Sequence, residues 1–286
     1  EEPEAGFDAT TGGHGSITRA FFSTLFKRDK KLGFENDLAT GYKVSDDKLT
    51  WTVTIRDDAK FTDGEKVTAQ DVAFTYQTAK ESGSEIDLTM IDKITAKDDT
   101  TIEFKLNRTY SAFMERLAYL GIVPEHAYDE NFKDNPIGSG PYEFVQWDKG
   151  QQVIAKANEN YYGDKPQIKQ LTMVFLDTDA AYSAVQKGDV DVCQINGNLA
   201  DKKVDGAKVI DIDSIECYGV EFPMQKSGKK AKDGYDMGNN VTSDEAIRKA
   251  LNTAVDRQKI VDGVLNGYGT VSTTGLEQMP WENKDA

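Results

Sequence analysis

The chain has 286 residues, 38 % hydrophobic and 29 % charged, enough to bury a sizeable core and unlike a disordered or fibrous composition. Its 49 acidic and 34 basic residues leave a formal net charge of -15. A field of that sign repels nucleic acid and anionic headgroups, so no nucleic-acid partner is expected.

No stretch reaches the roughly 18 consecutive apolar residues of a membrane span. Glu1, Glu2, Pro3 and Glu4 have none of the features of a signal peptide, so none is expected in this sequence. Strand and helix patterns alternate along the chain, which argues for an α/β or α+β protein. Leu49, Trp51, Val53 and Ile55 alternate with Thr50, Thr52 and Thr54, the period of a half-buried strand. A turn follows at Asp63 and Gly64. Thr68 and Asp71 then have capping-box spacing, opening a helix that runs to about Lys80 and ends near Gly83.

Residues 91–107 read as a hairpin turning at Asp98 and Asp99, and residues 142–157 as a second hairpin turning at Asp148, Lys149 and Gly150. A strand over 171–176 precedes a helix over 178–187 stopped by Gly188, then a short strand over 190–194. Another strand is expected over 215–222, and the polar stretch 225–240 is the best linker or surface-loop candidate. Ser243 and Asp244 cap a helix reaching about Val255, and Asp256 caps a second one ending at Gly267. The Thr-, Ser-, Gly- and Pro-containing ending that follows reads as a cut.

The pattern gives an enzyme little to work with. The sequence has two histidines, His14 and His126, and no Cys or His pair with zinc-ligand spacing, so no metal or cofactor is expected. Gly138, Ser139 and Gly140 match neither a phosphate loop nor a nucleophile elbow and read as a tight turn before a strand. The pairs Asp46–Asp47, Asp57–Asp58 and Asp98–Asp99 sit beside turn residues, where solvated turns explain them better than acid–base chemistry. Cys193 and Cys217 cannot form a disulfide framework; one bridge stays open beside the reading of two buried thiols.

Several blocks carry a resemblance. The run from Trp51 to Phe74 holds Arg56, Lys60, Phe61, Asp63, Gly64, Thr68, Ala69, Asp71 and Val72 in order. Upstream stand Asn36, Asp37, Leu38 and Tyr42. Downstream come Pro124 and His126, then Pro136 to Tyr142, then Asn158, Tyr161, Tyr162 and Gly163. Gly188 with Asp191, and Ile247 with Arg248, Ala250, Leu251, Asp256 and Arg257, complete the set. This ordered set resembles the extracytoplasmic solute-binding proteins of the peptide/nickel family, family 5, of ABC transporters. Two departures stand out. The family's opening strand, ahead of Gly6, Phe7 and Asp8, is absent or clipped, and much of a second lobe expected after Trp281 is missing.

The resemblance implies an α/β, periplasmic-binding-protein-like bilobed fold with an extra subdomain in the first lobe and a truncated second lobe. Residues 1–34 and 136–240 would form the first lobe, 35–135 its inserted subdomain, and 241–286 the start of the second. It also implies a monomeric receptor, a cell-surface lipoprotein or periplasmic protein, that binds a peptide between its lobes and delivers it to permease subunits in the membrane. A nickel chelate or another small solute, or a signalling ectodomain, are the alternative readings. The ligand-facing residues would be Gly12, Gly13, His14, Gly15 and Ser16 on the loop after the first strand, where glycines let a ligand approach the backbone. Cys217, Tyr218 and Gly219 would offer backbone partners to an extended peptide, although Tyr218 by itself reads more readily as a core residue. With half the cleft missing, the isolated chain is expected to bind weakly or not at all.

Overall fold

A computed structural model describes residues 2–3, 5–11, 18–82, 86–212, 217–231 and 234–272. The chain divides into two compact units, Glu1–Leu176 and Asp177–Ala286.

In the first unit, a 3-10 turn over Ala9–Thr11 and helix α1 (Thr18–Phe21) precede the hairpin of β1 (Phe26–Arg28) and β2 (Phe34–Asn36). Strands β3 (Ala39–Val44) and β4 (Thr50–Ile55), helix α2 (Ala69–Glu81), and strands β5 (Ile91–Ala96) and β6 (Thr101–Leu106) come next. The four strands form an antiparallel sheet in the order β3-β4-β6-β5. The alternation read from the sequence is realised in its register. Val53 sits opposite Ile102, which sits opposite Ala96, all facing the core, while Thr52 and Glu103 pair on the other face. Val53, Ile102 and Phe104 are fully buried beneath α2, whose Tyr76 ring meets Phe104 edge-on at 4.9 Å.

The start of α2 is fixed as its sequence requires. The Asp71 N–H donates to the Thr68 hydroxyl at 3.4 Å, and the Thr68 N–H returns a bond to the Asp71 carboxylate at 2.9 Å. The second oxygen of Asp71 accepts the Glu125 N–H at 3.0 Å. One short acid therefore caps a helix and ties it to the segment 48 to 54 positions on, where the Val123 N–H also donates to the Thr75 hydroxyl.

Helix α3 (Phe113–Leu117) closes this first core, and a second core lies beside strands β7 (Tyr142–Asp148), β8 (Gln152–Ala157) and β9 (Gln170–Val174), which form an antiparallel sheet. Phe7 packs edge-on against Trp147 at 4.9 Å and Phe21 at 5.7 Å within that second core. The expected hairpins over 91–107 and 142–157 are both present. Strands β1, β2 and β3 carry too few residues or too little alternation to be read in advance.

Residues 138–140 are not a turn. A Cβ on Gly138 would lie 2.0 Å from the Phe21 carbonyl oxygen, and one on Gly140 2.5 Å from that of Ala20. The Gly140 N–H donates to the Phe21 carbonyl at 2.8 Å, the Ser23 hydroxyl donates to the Ser139 carbonyl, and Asn158 Nδ2 donates to the Gly140 carbonyl. The glycines are there so that two backbone segments can touch. Ser139 is 0 % exposed, and its hydroxyl has no hydrogen-bond partner among the described residues.

The second unit contains α4 (Thr178–Lys187), α5 (Gly197–Ala200), α6 (Glu245–Ala254) and α7 (Arg257–Val264). Asp177, Asp244 and Asp256 each accept an N–H of the helix they precede, and Gly188 ends α4 in the left-handed region at φ 76°. The strand expected over 190–194 is irregular, and so is the described part, 217–222, of the strand expected over 215–222. Neither finds a ladder; the one bridge among this unit's described residues joins Lys230 to Asp236. Extended backbone without a neighbour does not hold strand geometry. Its apolar residues are correspondingly uncovered: Val192 is 86 % exposed, Ile210, Ile212, Val220 and Met224 are exposed as well, and only Leu199 and Val261 are buried hydrophobics among the described residues.

The packing at residues 138–140 separates a steric requirement from a polar one. Gly138→Ala and Gly140→Ala are expected to cost about 2–4 kcal/mol, because the added carbon meets backbone that cannot yield. Ser139→Ala, which removes an unpaired buried hydroxyl, is expected to be neutral or to stabilise by up to about 1 kcal/mol. Urea unfolding midpoints of the three variants check the order.

Candidate functional site

The expected ligand residues fall in different units, so each group is described by itself. Gly12, Gly13, His14, Gly15 and Ser16 lie outside the described residues, and the chain before and after them is as follows. On the entry side, the Asp8 carboxylate is 6 % exposed. Its Oδ1 accepts the Thr10 N–H at 2.9 Å and the Thr10 hydroxyl at 2.8 Å, and its Oδ2 accepts the Tyr128 hydroxyl at 2.6 Å. The Ser82 hydroxyl donates to the Thr10 carbonyl at 3.1 Å, joining this turn to the end of α2. On the exit side, α1 runs into Phe21, whose carbonyl accepts the Gly140 N–H.

Burial, with the bond to Asp8 adding to it, pushes the Tyr128 phenol up to about 12. The folded value lies above the ordinary phenol value of 10.0, so this bonding supports the fold below pH ~10 and is lost as the pH rises through about 12. Sequence reading passed over Asp8 and Tyr128. They stand 120 positions apart, and only the fold pairs them.

Two more polar constellations had been read only as parts of blocks. The Tyr162 hydroxyl donates to Asp37 at 2.6 Å while the Arg56 guanidinium lies 4.0 Å over the Tyr162 ring. Burial drives the Tyr162 phenol well up, and the Asp37 carboxylate adds to the effect. Arg56 also grips Asp58 through two bonds, of 2.5 and 2.9 Å, which holds the Asp58 carboxyl below its usual range. Asp63, at the turn before α2, meets His126 Nε2 at 2.7 Å. These contacts lock the resembling blocks to one another.

The remaining acid pairs belong to turns. Asp47 accepts from the Ser45 hydroxyl and the Leu49 N–H, and Asp98 from the Thr100 N–H, which lowers both carboxyls. Among the described residues no group of three or more His, Cys, Asp or Glu side chains converges to hold a metal ion.

In the second unit, Cys217, Tyr218 and Gly219 lie on irregular chain. Tyr218 is 89 % exposed, which overturns the core reading of that ring. Cys193 and Cys217 are both free, so the bridge left open by the sequence is not formed. Cys217 is exposed instead of buried, its Sγ 3.7 Å from the Ser272 hydroxyl oxygen. Just beyond, Val220, Phe222 and Met224 run alongside α6 and enclose with Glu245, Arg248, Lys249 and Asn252 a groove of about 400 Å³. Glu245 and Lys249 pair at 2.8 Å, and Arg248 is spent on the Thr242 and Ser243 carbonyls, so the groove offers apolar surface more than free charge. A second, polar hollow of about 420 Å³ is lined by Asp177, Thr178, Asp179, Asn196, Asn198 and Leu199.

Residues 33–286 match the family of bacterial extracellular solute-binding proteins, family 5 (middle part). The chain is 36 % identical over 262 residues to Protein XP55 of Streptomyces lividans, an alignment covering 87 % of this chain and 46 % of that protein. The structure of NikZ from Campylobacter jejuni in complex with Ni(L-His) superposes with a TM-score of 0.86 at 28 % identity, covering all of this chain and 58 % of that one. The oligopeptide-binding protein AppA from Bacillus subtilis, in complex with a nonapeptide, gives a TM-score of 0.74 at 28 % identity over 93 % of this chain and 54 % of that one. The chain thus spans about half the length of the curated relatives it matches.

Exposure makes the two thiols kinetically distinct. Titration with a thiol-reactive chromophore is expected to show one fast and one slow phase, with Cys217→Ser removing the fast one. A fast phase that survives this substitution would contradict the placement of residue 217.

Proposed function

The chain belongs to the bacterial extracellular solute-binding proteins of family 5, and from that premise we propose that it forms part of the receptor of an ABC importer. In this reading the receptor works outside the cytoplasm as a monomer, either lipid-anchored at the cell surface or free in a periplasm. It holds a peptide between two lobes and presents it to the permease. The lobe boundaries are those expected from the sequence: 1–34 with 136–240, the subdomain 35–135, and a second lobe beginning at 241.

The observation that carries the proposal is the backbone at 217–222. It has strand-like composition, lies outside the strands of the fold, exposes Tyr218 and Val220, and runs beside a groove lined by Val220, Phe222 and Met224 together with polar residues of α6. Such a segment is suited to receive another extended chain, whose main-chain groups would supply affinity with little demand on sequence. Gly12, Gly13, His14, Gly15 and Ser16 would be the ligand-lining residues of the first unit. The apolar side chains left bare in the second unit, each worth about 1.5–3 kcal/mol when buried, would be covered in the working receptor by further polypeptide. The family is one of extracellular solute-binding proteins, and we infer a binding role for this member, not a catalytic one.

A nickel chelate is the second reading, supported by the likeness to NikZ with Ni(L-His). It would draw on His14, since His126 is engaged by Asp63.

Calorimetry on a polypeptide extended to the length of the relatives is expected to show a nonapeptide binding at micromolar or better affinity, with this chain alone much weaker. The same peptide is expected to slow labelling of Cys217. Heat from Ni²⁺ with L-histidine and silence from the peptide would replace the first reading by the second.

A further inference from the structure

The sheet β3-β4-β6-β5 packs one face beneath α2 and leaves the other bare. On that outer face, register sets Lys43, Thr52, Glu103 and Thr95 side by side across the four strands, and Thr50, Lys105 and Lys93 in the next row. None of these residues is buried, and Lys43, Lys93 and Lys105 are exposed.

The charges on this face work against its own stability. Lys93 stands directly opposite Lys105, and like charges in a cross-strand pair repel. Among the described residues none of the three lysines joins an ion pair; the one such pair on this face links Lys97 to Glu103 at 3.4 Å. The Asp47 carboxyl, in the turn before β4, is held down chiefly by the Ser45 hydroxyl and only last by Lys105. Lysines on edge strands discourage pairing with other sheets, which accounts for Lys43 on β3 and Lys93 on β5. It does not account for Lys105, because β6 is an interior strand.

The surroundings restrict what would fit. The chain carries a net charge of -15, and the acid pairs Asp46–Asp47 and Asp98–Asp99 occupy the turns at opposite ends of this sheet. An extended anionic plane such as a bilayer would meet those acids together with the lysines and be repelled by them. A narrow acidic patch on a protein would meet the lysines between the two turns, with the threonine hydroxyls of β4 free to bond its carboxylates.

We propose that the outer face of the sheet β3-β4-β6-β5 docks a carboxylate-rich surface of another protein through Lys43, Lys93 and Lys105. The partner's carboxylates relieve the repulsion between Lys93 and Lys105, which the chain alone leaves uncompensated. The face is complete within the first unit, so the proposal does not depend on which solute the chain carries.

Poly-L-glutamate is the probe. Calorimetry at low salt on the whole chain is expected to show binding that added salt weakens. A variant with Lys43→Thr, Lys93→Thr and Lys105→Thr is expected to bind at least about tenfold more weakly. Lys202→Thr, Lys203→Thr and Lys208→Thr change the net charge equally at exposed positions of the second unit and are expected to leave binding as in the parent. Lys93→Glu turns the repelling pair into an attracting one, and is expected to weaken binding while raising the melting temperature by about 1–3 °C. Should the first triple variant fail to fold, Lys105→Gln alone is compared with the parent, and weaker binding is again expected.

No binding by the parent, or an equal loss in the two triple variants, would overturn the docking face and leave only net charge. Tighter binding to vesicles of phosphatidylglycerol in phosphatidylcholine than to poly-L-glutamate would assign the lysines to a membrane instead. A lower melting temperature in Lys93→Glu would show that the lysines serve the fold, and would equally sink the proposal.

Discussion

Extended backbone has to pair its N–H and C=O groups with something, and that requirement divides this chain more sharply than its residue pattern does. In the first unit every strand-like run meets a neighbour: β4 lies between β3 and β6, and β8 between β7 and β9. Side chains then sort by register. Val53, Ile102 and Ala96 meet under α2, and the threonines of β4 turn outward. In the second unit the runs around Val192 and Val220 have a comparable composition but join no strand ladder among the described residues, and they stay irregular and exposed.

The first unit is held together by a few contacts that link distant parts of the chain. Asp71 caps α2 with one oxygen and holds Glu125 with the other. Gly138 and Gly140 let the backbone before β7 lie directly on residues 20 and 21. Tyr162 reaches Asp37, and Arg56 lies on the same ring. The first and the last of these join sequence blocks by which the chain resembles its family. The blocks are therefore mainly a description of how the first unit closes, and most of them say little about the ligand.

That separation bears on function. Of the residues proposed to meet ligand, Cys217, Tyr218 and Gly219 lie on irregular chain, in the manner of binding residues carried on loops by a rigid scaffold. What the scaffold contributes there is helix α6, whose residues line a groove with Val220, Phe222 and Met224.

Local chemistry made much of the architecture legible from the sequence. Strict alternation specified β4, Thr68 and Asp71 specified the start of α2, and Asp177 with Gly188 bounded α4 to the residue. These signals need only near neighbours, because a cap or a pleat is decided within a few positions. The family, too, was legible in the order of its blocks. The expected strands at 190–194 and 215–222 were legible as patterns and did not form, because a strand is completed by a partner that its own residues do not name. The reading of residues 138–140 as a turn failed for a similar reason. Glycine declares that room is needed, and only the fold shows that the room is for the Phe21 carbonyl and not for a reversal of the chain. The sequence by itself thus determined the longer capped helices and half-buried strands such as β4, and its ordered blocks carried the resemblance to the family. Tertiary structure decided which strands exist, which acids are locked in place, and that Asp8 and Tyr128 meet at all, because those outcomes depend on groups far apart in the chain coming together, as Asp8 and Tyr128 do at 2.6 Å across 120 positions.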